Sequence, residues 1–143
     1  MTNIYFVFGT RPEFIKLIKL IELIQNNPKF SLTIISSGQQ KSLLDKFNIN
    51  QVSNINLNLG KFSNIQNFIS IFLEKFETSL KNKEIDYLLV QGDTTTAYIT
   101  SLYGFLKKIP VIHLEAGLRT FDQYRPFPEE FFRQSISKIA CIH

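Results

Sequence analysis

Short runs of apolar residues alternate along this chain with longer segments in which apolar residues recur at helical spacing. The short runs are rich in β-branched and aromatic side chains, which is typical of buried strands. They lie at Ile4–Phe8, Leu32–Ile35, Tyr87–Gln91 and Val111–Leu114, and a weaker candidate lies within Asn48–Asn58. Strands that alternate with helices predict an α/β fold, a doubly wound parallel sheet with helices on both faces.

The helical segments differ in how polar they are. From Glu13 to Gln25 a polar residue recurs at every third position, which predicts a mostly buried helix with one narrow polar stripe. The phenylalanines and isoleucines between Ile65 and Leu80 have a strong helical period and predict a core helix. Further helices are predicted over Gln40–Phe47, over Thr94–Lys107 and from Pro128 to about Lys138.

Length and composition limit the classes of protein to which the chain can belong. Its 143 residues suffice for one domain with its own core, and 44% hydrophobic with 20% charged residues is usual for a globular protein. No apolar run approaches the roughly 18 residues that cross a bilayer, and the first residues have no basic region before an apolar core, so we expect no secretory signal. The net charge of +4 is carried by scattered lysines, which argues against nucleic-acid binding.

The single cysteine and the apolar C-terminal residues lead to two further expectations. One cysteine, Cys141, excludes an intrachain disulfide and is consistent with a reducing cytoplasm, and we expect it to be a small buried residue. Apolar residues between Ile136 and Ile142 continue directly to His143. Because domains generally end in polar surface residues, we expect a chain cut within an element, with exposed apolar surface that favours self-association.

Carboxylates follow two of the predicted strands. Asp93 comes just after the fourth strand and Glu115 directly after the fifth, while Glu129 and Glu130 follow a proline-fixed loop. Parallel strands end at the same edge of a sheet, which is where open α/β folds bind ligands. We therefore expect Asp93 and Glu115 to lie close together on one rim, in the arrangement of an active site.

The turn after the first strand is a second candidate. Gly9–Pro12 joins that strand to a helix, and a strand, a glycine turn and a helix N-terminus together can bind an anion. The segment has neither the full G-x-G-x-x-G pattern nor a Walker loop. Neither dinucleotide nor nucleoside-triphosphate binding follows from it.

Each of these carboxylates also has a purely structural interpretation. Asp93 could be only the N-cap of the helix that begins at Thr94, a position that aspartate suits. Glu115 could be a loop carboxylate with satisfied hydrogen bonds. Glu129 and Glu130 could be first-turn partners of the helix dipole.

Two basic side chains have similar alternatives. Lys16 could belong to the solvated stripe of the first helix. His113 lies on an apolar strand, and we expect it to be buried and hydrogen-bonded. No spacing supports a metal site between His113 and His143, so no metal is expected.

Four motifs, in matching order and spacing, resemble the non-hydrolysing UDP-N-acetylglucosamine 2-epimerases. They are GTRPE at Gly9–Glu13 with Lys16, QGDTTTA at Gln91–Ala97, HLEAGLRT at His113–Thr120 and RPFPEE at Arg125–Glu130. The resemblance covers residues 1–143, which correspond to the N-terminal domain alone. It implies one Rossmann-like half of a GT-B-type two-domain fold, with the C-terminal nucleotide-binding domain absent.

The resemblance also implies a reaction and its residues. The family interconverts UDP-GlcNAc and UDP-ManNAc by anti elimination of UDP and re-addition, without a cofactor. By motif match, Asp93, Glu115 and Glu129 would be catalytic, with Asp93 and Glu129 as acid/base candidates and Glu115 as a stabilising or proton-handling partner. Arg11 and Lys16, with Asp93 and Glu115, would contact the UDP-sugar substrate. The family is typically homodimeric, and we expect this chain alone to be inactive.

Three other functions stay open at this point. A hydrolysing epimerase would release free ManNAc and UDP, a GT-B glycosyltransferase fragment would share the architecture, and a truncated module without catalysis would only bind a partner. One departure from the family concerns the last predicted helix. Phe132 stands where an asparagine is usual, just before the arginine matched by Arg133, and this places a large ring in the first turns of the helix.

Overall fold

A computed structural model describes residues 1–38, 52–60 and 62–143. The described strands form one parallel sheet in the order β3-β2-β1-β4-β5. The strands are β1 (Thr2–Phe8), β2 (Phe30–Ser36), β3 (Ser53–Asn56), β4 (Tyr87–Gln91) and β5 (Val111–Leu114). The helices are α1 (Arg11–Gln25), α2 (Ile65–Leu80), α3 (Thr95–Lys107) and α4 (Glu129–Ile139).

The strand order confirms the predicted doubly wound topology. From β1 the chain proceeds outward to β3, returns through α2 to the other side of β1, and then proceeds outward again to β5. The order therefore reverses between β1 and β4, and the carboxyl ends of these strands form the switch point at which such sheets bind ligands. The predicted helix over Gln40–Phe47 lies outside the described residues, and the weak strand candidate after it corresponds to β3.

Alternate residues of the central strands supply two separate cores, one on each face of the sheet. On one face Phe14, Leu17 and Ile21 of α1 pack against strand residues such as Phe6 and Ile34. On the other face α2, α3 and α4 pack against strand residues such as Val7 and Val90. The phenylalanines of α2 are fully covered there, as their helical period predicts (Phe68, Phe72 and Phe76).

Helix α1 differs from its prediction in which residues it buries. Glu13 was expected on the polar stripe but is only 2% exposed, whereas the apolar side chains of Ile15 and Leu23 are 40% and 70% exposed. The buried carboxylate of Glu13 accepts hydrogen bonds from the backbone N–H groups of Gly9 and Thr10. The helix is thus buried on a single face.

The C-terminal segment closes the far edge of the sheet. Phe132 does not disturb α4, since its buried ring stacks on Tyr98 with 4.6 Å between centroids. After α4 the backbone of Ile142 bridges to Ile112 of β5 in parallel. Cys141 is exposed at this edge, so the expectation of a buried cysteine is wrong, and its Sγ donates to the carbonyl of Val111. Among the described helices, none has the length and apolar character needed to cross a membrane.

Candidate active site

Three turns and one helix N-terminus meet at the carboxyl edge of the sheet. The turns follow β1, β4 and β5, and the helix is α4. They bring Asp93, Glu115 and Glu129 together, and the negative charges of Glu129 and Glu115 are close enough to raise the pKa of Asp93. The sequence-based expectation that Asp93 and Glu115 share one rim is confirmed.

Asp93 lies in the turn between β4 and α3, half-buried, and forms an ion pair with Arg133. Its Oδ2 is 2.7 Å from the Arg133 Nη2, and the arginine also donates to the carbonyl of Leu118. Burial is the main cause that raises the pKa of the Asp93 carboxyl, the neighbouring carboxylates raise it further, and Arg133 opposes them. Asp93 is not the N-cap of α3, because Thr94 has that role and accepts from the N–H of Ala97.

Glu115 is held from both sides by polar side chains. The Lys16 Nζ lies 2.9 and 2.8 Å from its two carboxylate oxygens, and the buried Gln91 amide donates to Oε2. The backbone of Glu115 has a φ of +60°, a conformation that non-glycine residues seldom adopt and that occurs preferentially at functional sites. Lys16 is exposed, and its ammonium group pairs with Glu115 at this edge of the sheet.

Glu129 is the second acidic residue of the cleft beside Asp93. It lies in the first turn of α4, and its Oε2 is buried with no hydrogen-bond partner among the described residues. Asp93 and Glu129 both line a cleft of about 420 Å³, with Thr10 and Thr94 on one side and aromatic rings on the other (Phe62, Phe68 and Phe132). A buried carboxylate oxygen without a partner can accept a proton from a ligand.

The remaining predicted residues occupy different positions at this edge. Arg11 is exposed at the first turn of α1. His113 is fully buried, as predicted, with its Nε2 2.7 Å from the carbonyl of Gly92, and burial lowers its pKa. The described residues contain no cluster of potential metal ligands.

Sequence reasoning missed the side chains that hold these turns in place. Glu130, interpreted as a possible dipole partner, is 2% exposed and accepts from the side chain of Arg119 and the backbone N–H groups of Thr120 and Phe121. Arg133 was noted only as a motif position. The one available signal was that both charged residues have a helical spacing that places them on the buried face. This signal indicates a buried charge but does not identify its partner.

The fold defines a class of protein, the Rossmann-like α/β domains of the GT-B type. The crystal structure of Acinetobacter baumannii MurG has this fold, with a TM-score of 0.63 over 98% of the chain at 13% identity, a likeness of fold alone. Within that class, residues 22–143 match the family model described as UDP-N-acetylglucosamine 2-epimerase, and the chain belongs to this family.

Individual relatives agree with the family assignment. The UDP-N-acetylglucosamine 2-epimerase of Salmonella borreze is 37% identical over 100% of the chain, and that of Campylobacter jejuni 39% identical over 99%. The crystal structure of the Neisseria meningitidis UDP-GlcNAc 2-epimerase bound to UDP-GlcNAc has a TM-score of 0.87 at 34% identity over 97% of the chain. The chain spans 38–39% of the length of these three proteins.

Proposed function

We propose that residues 1–143 are the N-terminal catalytic domain of a non-hydrolysing UDP-GlcNAc 2-epimerase. The observation that carries this proposal is the convergence of Asp93, Glu115 and Glu129 at the switch point of the sheet. A carboxyl whose pKa is raised by burial in a cleft, as that of Asp93 is, is typical of an acid–base site. Family membership supplies the substrate class.

The proposed reaction needs one base and one acid at carbon 2 of the sugar. A carboxylate removes the C2 proton while the C1–O bond to UDP breaks, its electron pair leaving with the diphosphate, and a C1=C2 double bond forms. UDP then adds back to C1 as a proton returns to the opposite face of C2. Asp93 and Glu129 are suited to these two transfers, because both line the cleft and the pKa of Asp93 is raised towards the range in which a carboxyl can donate as well as accept.

Glu115 has a separate role in this proposal. Positive charge develops at C1 as UDP departs, and a fixed carboxylate nearby stabilises it. Glu115 is fixed by its ion pair with Lys16 and by the amide of Gln91. Arg11 and Lys16 lie in the first two turns of α1, directly after the turn that follows β1, and their charges can attract the leaving diphosphate.

The rest of the proposal concerns the longer protein. We infer a two-domain arrangement in which a C-terminal domain beyond residue 143 binds the uridine, so that residues 1–143 alone have negligible turnover. Homodimer formation and a cytoplasmic location stay predictions. The chain's 38–39% share of its relatives' length supports the two-domain arrangement.

A chimera and three isosteric substitutions test this proposal. In the chimera, residues 1–143 replace the corresponding part of the Campylobacter jejuni relative. We expect Asp93→Asn, Glu115→Gln and Glu129→Gln each to lower kcat by about 10²–10⁴-fold, because each removes a carboxylate that handles charge or a proton in the transition state. Epimerisation is measured as conversion of UDP-GlcNAc to UDP-ManNAc.

Glu22→Gln is the matched control, since this glutamate lies on the solvent side of α1 and pairs with Lys19. The control should retain the kcat of the unsubstituted chimera. If the three carboxylate variants match that control, the assignment of the catalytic residues is wrong. Release of free ManNAc together with UDP would identify a hydrolysing enzyme instead.

A further inference from the structure

Glu13 is a buried carboxylate that the proposed chemistry does not use. It accepts four hydrogen bonds, three of them at Oε2 from the turn after β1: the N–H of Gly9 at 3.0 Å, the N–H of Thr10 at 2.6 Å and the Thr10 hydroxyl at 2.8 Å. The fourth reaches Oε1 from the hydroxyl of Thr94 at 2.7 Å. Burial is the main cause that raises the pKa of the carboxyl.

The bond from the N–H of Thr10 is ordinary helix capping, and the other two bonds at Oε2 come from the same turn. A glutamate at the third position of a helix that accepts the backbone N–H of the N-cap residue forms half of a capping box. An exposed glutamate would serve for this purpose. Capping therefore does not explain why the carboxylate is 2% exposed.

The fourth bond joins two turns that carry different parts of the site. Thr94 is 81 residues away in sequence and follows Asp93 directly. The other end of the bridge is the turn that leads into Arg11 and Lys16. One carboxylate thus links the turn after β1, which leads into the cationic residues of α1, to the acidic turn after β4, across the switch point of the sheet.

Close packing beside the bridge reinforces it. The backbone of Gly9 approaches Thr96 so closely that a Cβ on Gly9 would lie 2.3 Å from the threonine Oγ1. Thr10 and Thr94 both line the cleft that contains Asp93. The two turns form one surface of that cleft, and Glu13 lies directly behind it.

We propose that Glu13 is a positioning residue, which sets the placement of Asp93 relative to Arg11 and Lys16 by bridging the turns after β1 and β4. The inference rests on the proposed epimerase function for its effect on catalysis. Its geometric content, a bridge between the two turns, is independent of that function.

Kinetics of the chimera test the catalytic effect. Glu13→Ala removes the bridge, and we expect kcat to fall about 100-fold, the loss expected for an active group displaced by about 1 Å, while KM changes by less than about threefold. Glu13→Gln keeps the shape and most of the contacts, so it should recover much of the loss. Glu22→Gln on the same helix is the control and should leave both constants unchanged.

A double-mutant cycle tests whether the effect passes through Thr94. Thr94→Val keeps the side-chain volume but removes the hydroxyl that bonds to Glu13. Thr94→Val also removes the N-cap of α3, and this loss is the same with either residue at position 13. If the bridge exists, the two losses in kcat are not additive, and Thr94→Val costs less in the Glu13→Ala enzyme than in the unsubstituted chimera. Additive losses would contradict the bridge. If Glu13→Ala lowers the melting temperature but keeps kcat within threefold of the unsubstituted chimera, Glu13 only caps its helix and does not position Asp93.

Nuclear magnetic resonance of the 143-residue chain separates this inference from the proposed function. Glu13→Ala should shift the backbone amide signals of residues 92–95, across the switch point, whereas Glu22→Gln should not. Shifts confined to residues 9–14 would overturn the bridge. If the unsubstituted chimera fails to epimerise, the proposed function fails, and these amide shifts still decide whether Glu13 holds the two turns together.

Discussion

Glu130 shows how a single buried charge can organise a long loop. Its carboxylate accepts from Arg119, from two backbone N–H groups of the loop after β5, and from the Gln134 amide. The Gln134 hydrogen bond is the largest cause that lowers the pKa of Glu130 to about 2, followed by the N–H of Thr120. This loop joins Glu115 to Glu129, so Glu130 fixes the spacing between two of the proposed catalytic residues.

The lowered pKa of Glu130 predicts a pH-dependent contribution to stability. Below the ordinary range for glutamate the unfolded chain binds a proton that the folded chain does not, so the free energy of unfolding decreases as pH falls towards about 2. We expect Glu130→Gln to lack this contribution. The stability difference from the unsubstituted chain should be largest at neutral pH and shrink on acidification.

Urea unfolding between pH 7 and pH 2.5 measures this difference. Glu84→Gln, at an exposed position before β4, is the control and should differ from the unsubstituted chain by a constant amount. A Glu130→Gln difference that is equally constant with pH would contradict the role assigned to Glu130.

The residues of the site were predictable from sequence only where a general rule connects distant segments. Asp93 and Glu115 could be placed together because parallel strands end at one edge. No such rule connects Glu13 to Thr94 or Arg133 to Asp93, since each pair joins side chains whose separation depends on the packing of two helices. Glu13 was misassigned for that reason, because its helical spacing alone places it among polar residues.

At the scale of elements, the turn after β1 packs closely against the start of α3. A glycine is needed at position 9 because a Cβ there would overlap the side chain of Thr96, and not because of its φ angle. The strands β1, β2, β4 and β5 and the aromatic face of α2 were predictable because their apolar patterns are unambiguous, whereas β3 was only a weak candidate. The exposed apolar residues of α1 were not, because hydrophobicity alone does not tell which face meets the sheet.

Gly9→Ala should therefore destabilise the protein. The added methyl would overlap Thr96, and overpacking of this kind costs about 1–3 kcal/mol of unfolding free energy. Thr96→Ala removes the nearest atom, so the double variant Gly9→Ala with Thr96→Ala should recover part of the loss relative to Thr96→Ala alone. Thermal or urea unfolding measures both. A Gly9→Ala chain as stable as the unsubstituted one would mean that the two turns are not in contact as described.

At the scale of the whole molecule, the acidic cleft lies beside a loop rich in exposed aromatic side chains. Phe121, Tyr124 and Phe127 are 68–83% exposed, and they belong to the segment that leads from Glu115 to Glu129. The sequence resemblance predicted the family and the partial coverage, and the comparisons bear out both. The fold follows from the apolar pattern, whereas the proposed reaction depends on the longer protein.

The measurement that tests this account most directly is made in deuterated water. UDP-GlcNAc is added to the chimera that carries residues 1–143, and the products are followed by nuclear magnetic resonance. We predict UDP-ManNAc with deuterium at C2, because the C2 proton is removed and returned from solvent, and negligible turnover with the 143-residue chain alone. Epimerised sugar without deuterium, or no epimerisation by the chimera, would contradict the proposal that these carboxylates perform an elimination and re-addition at C2.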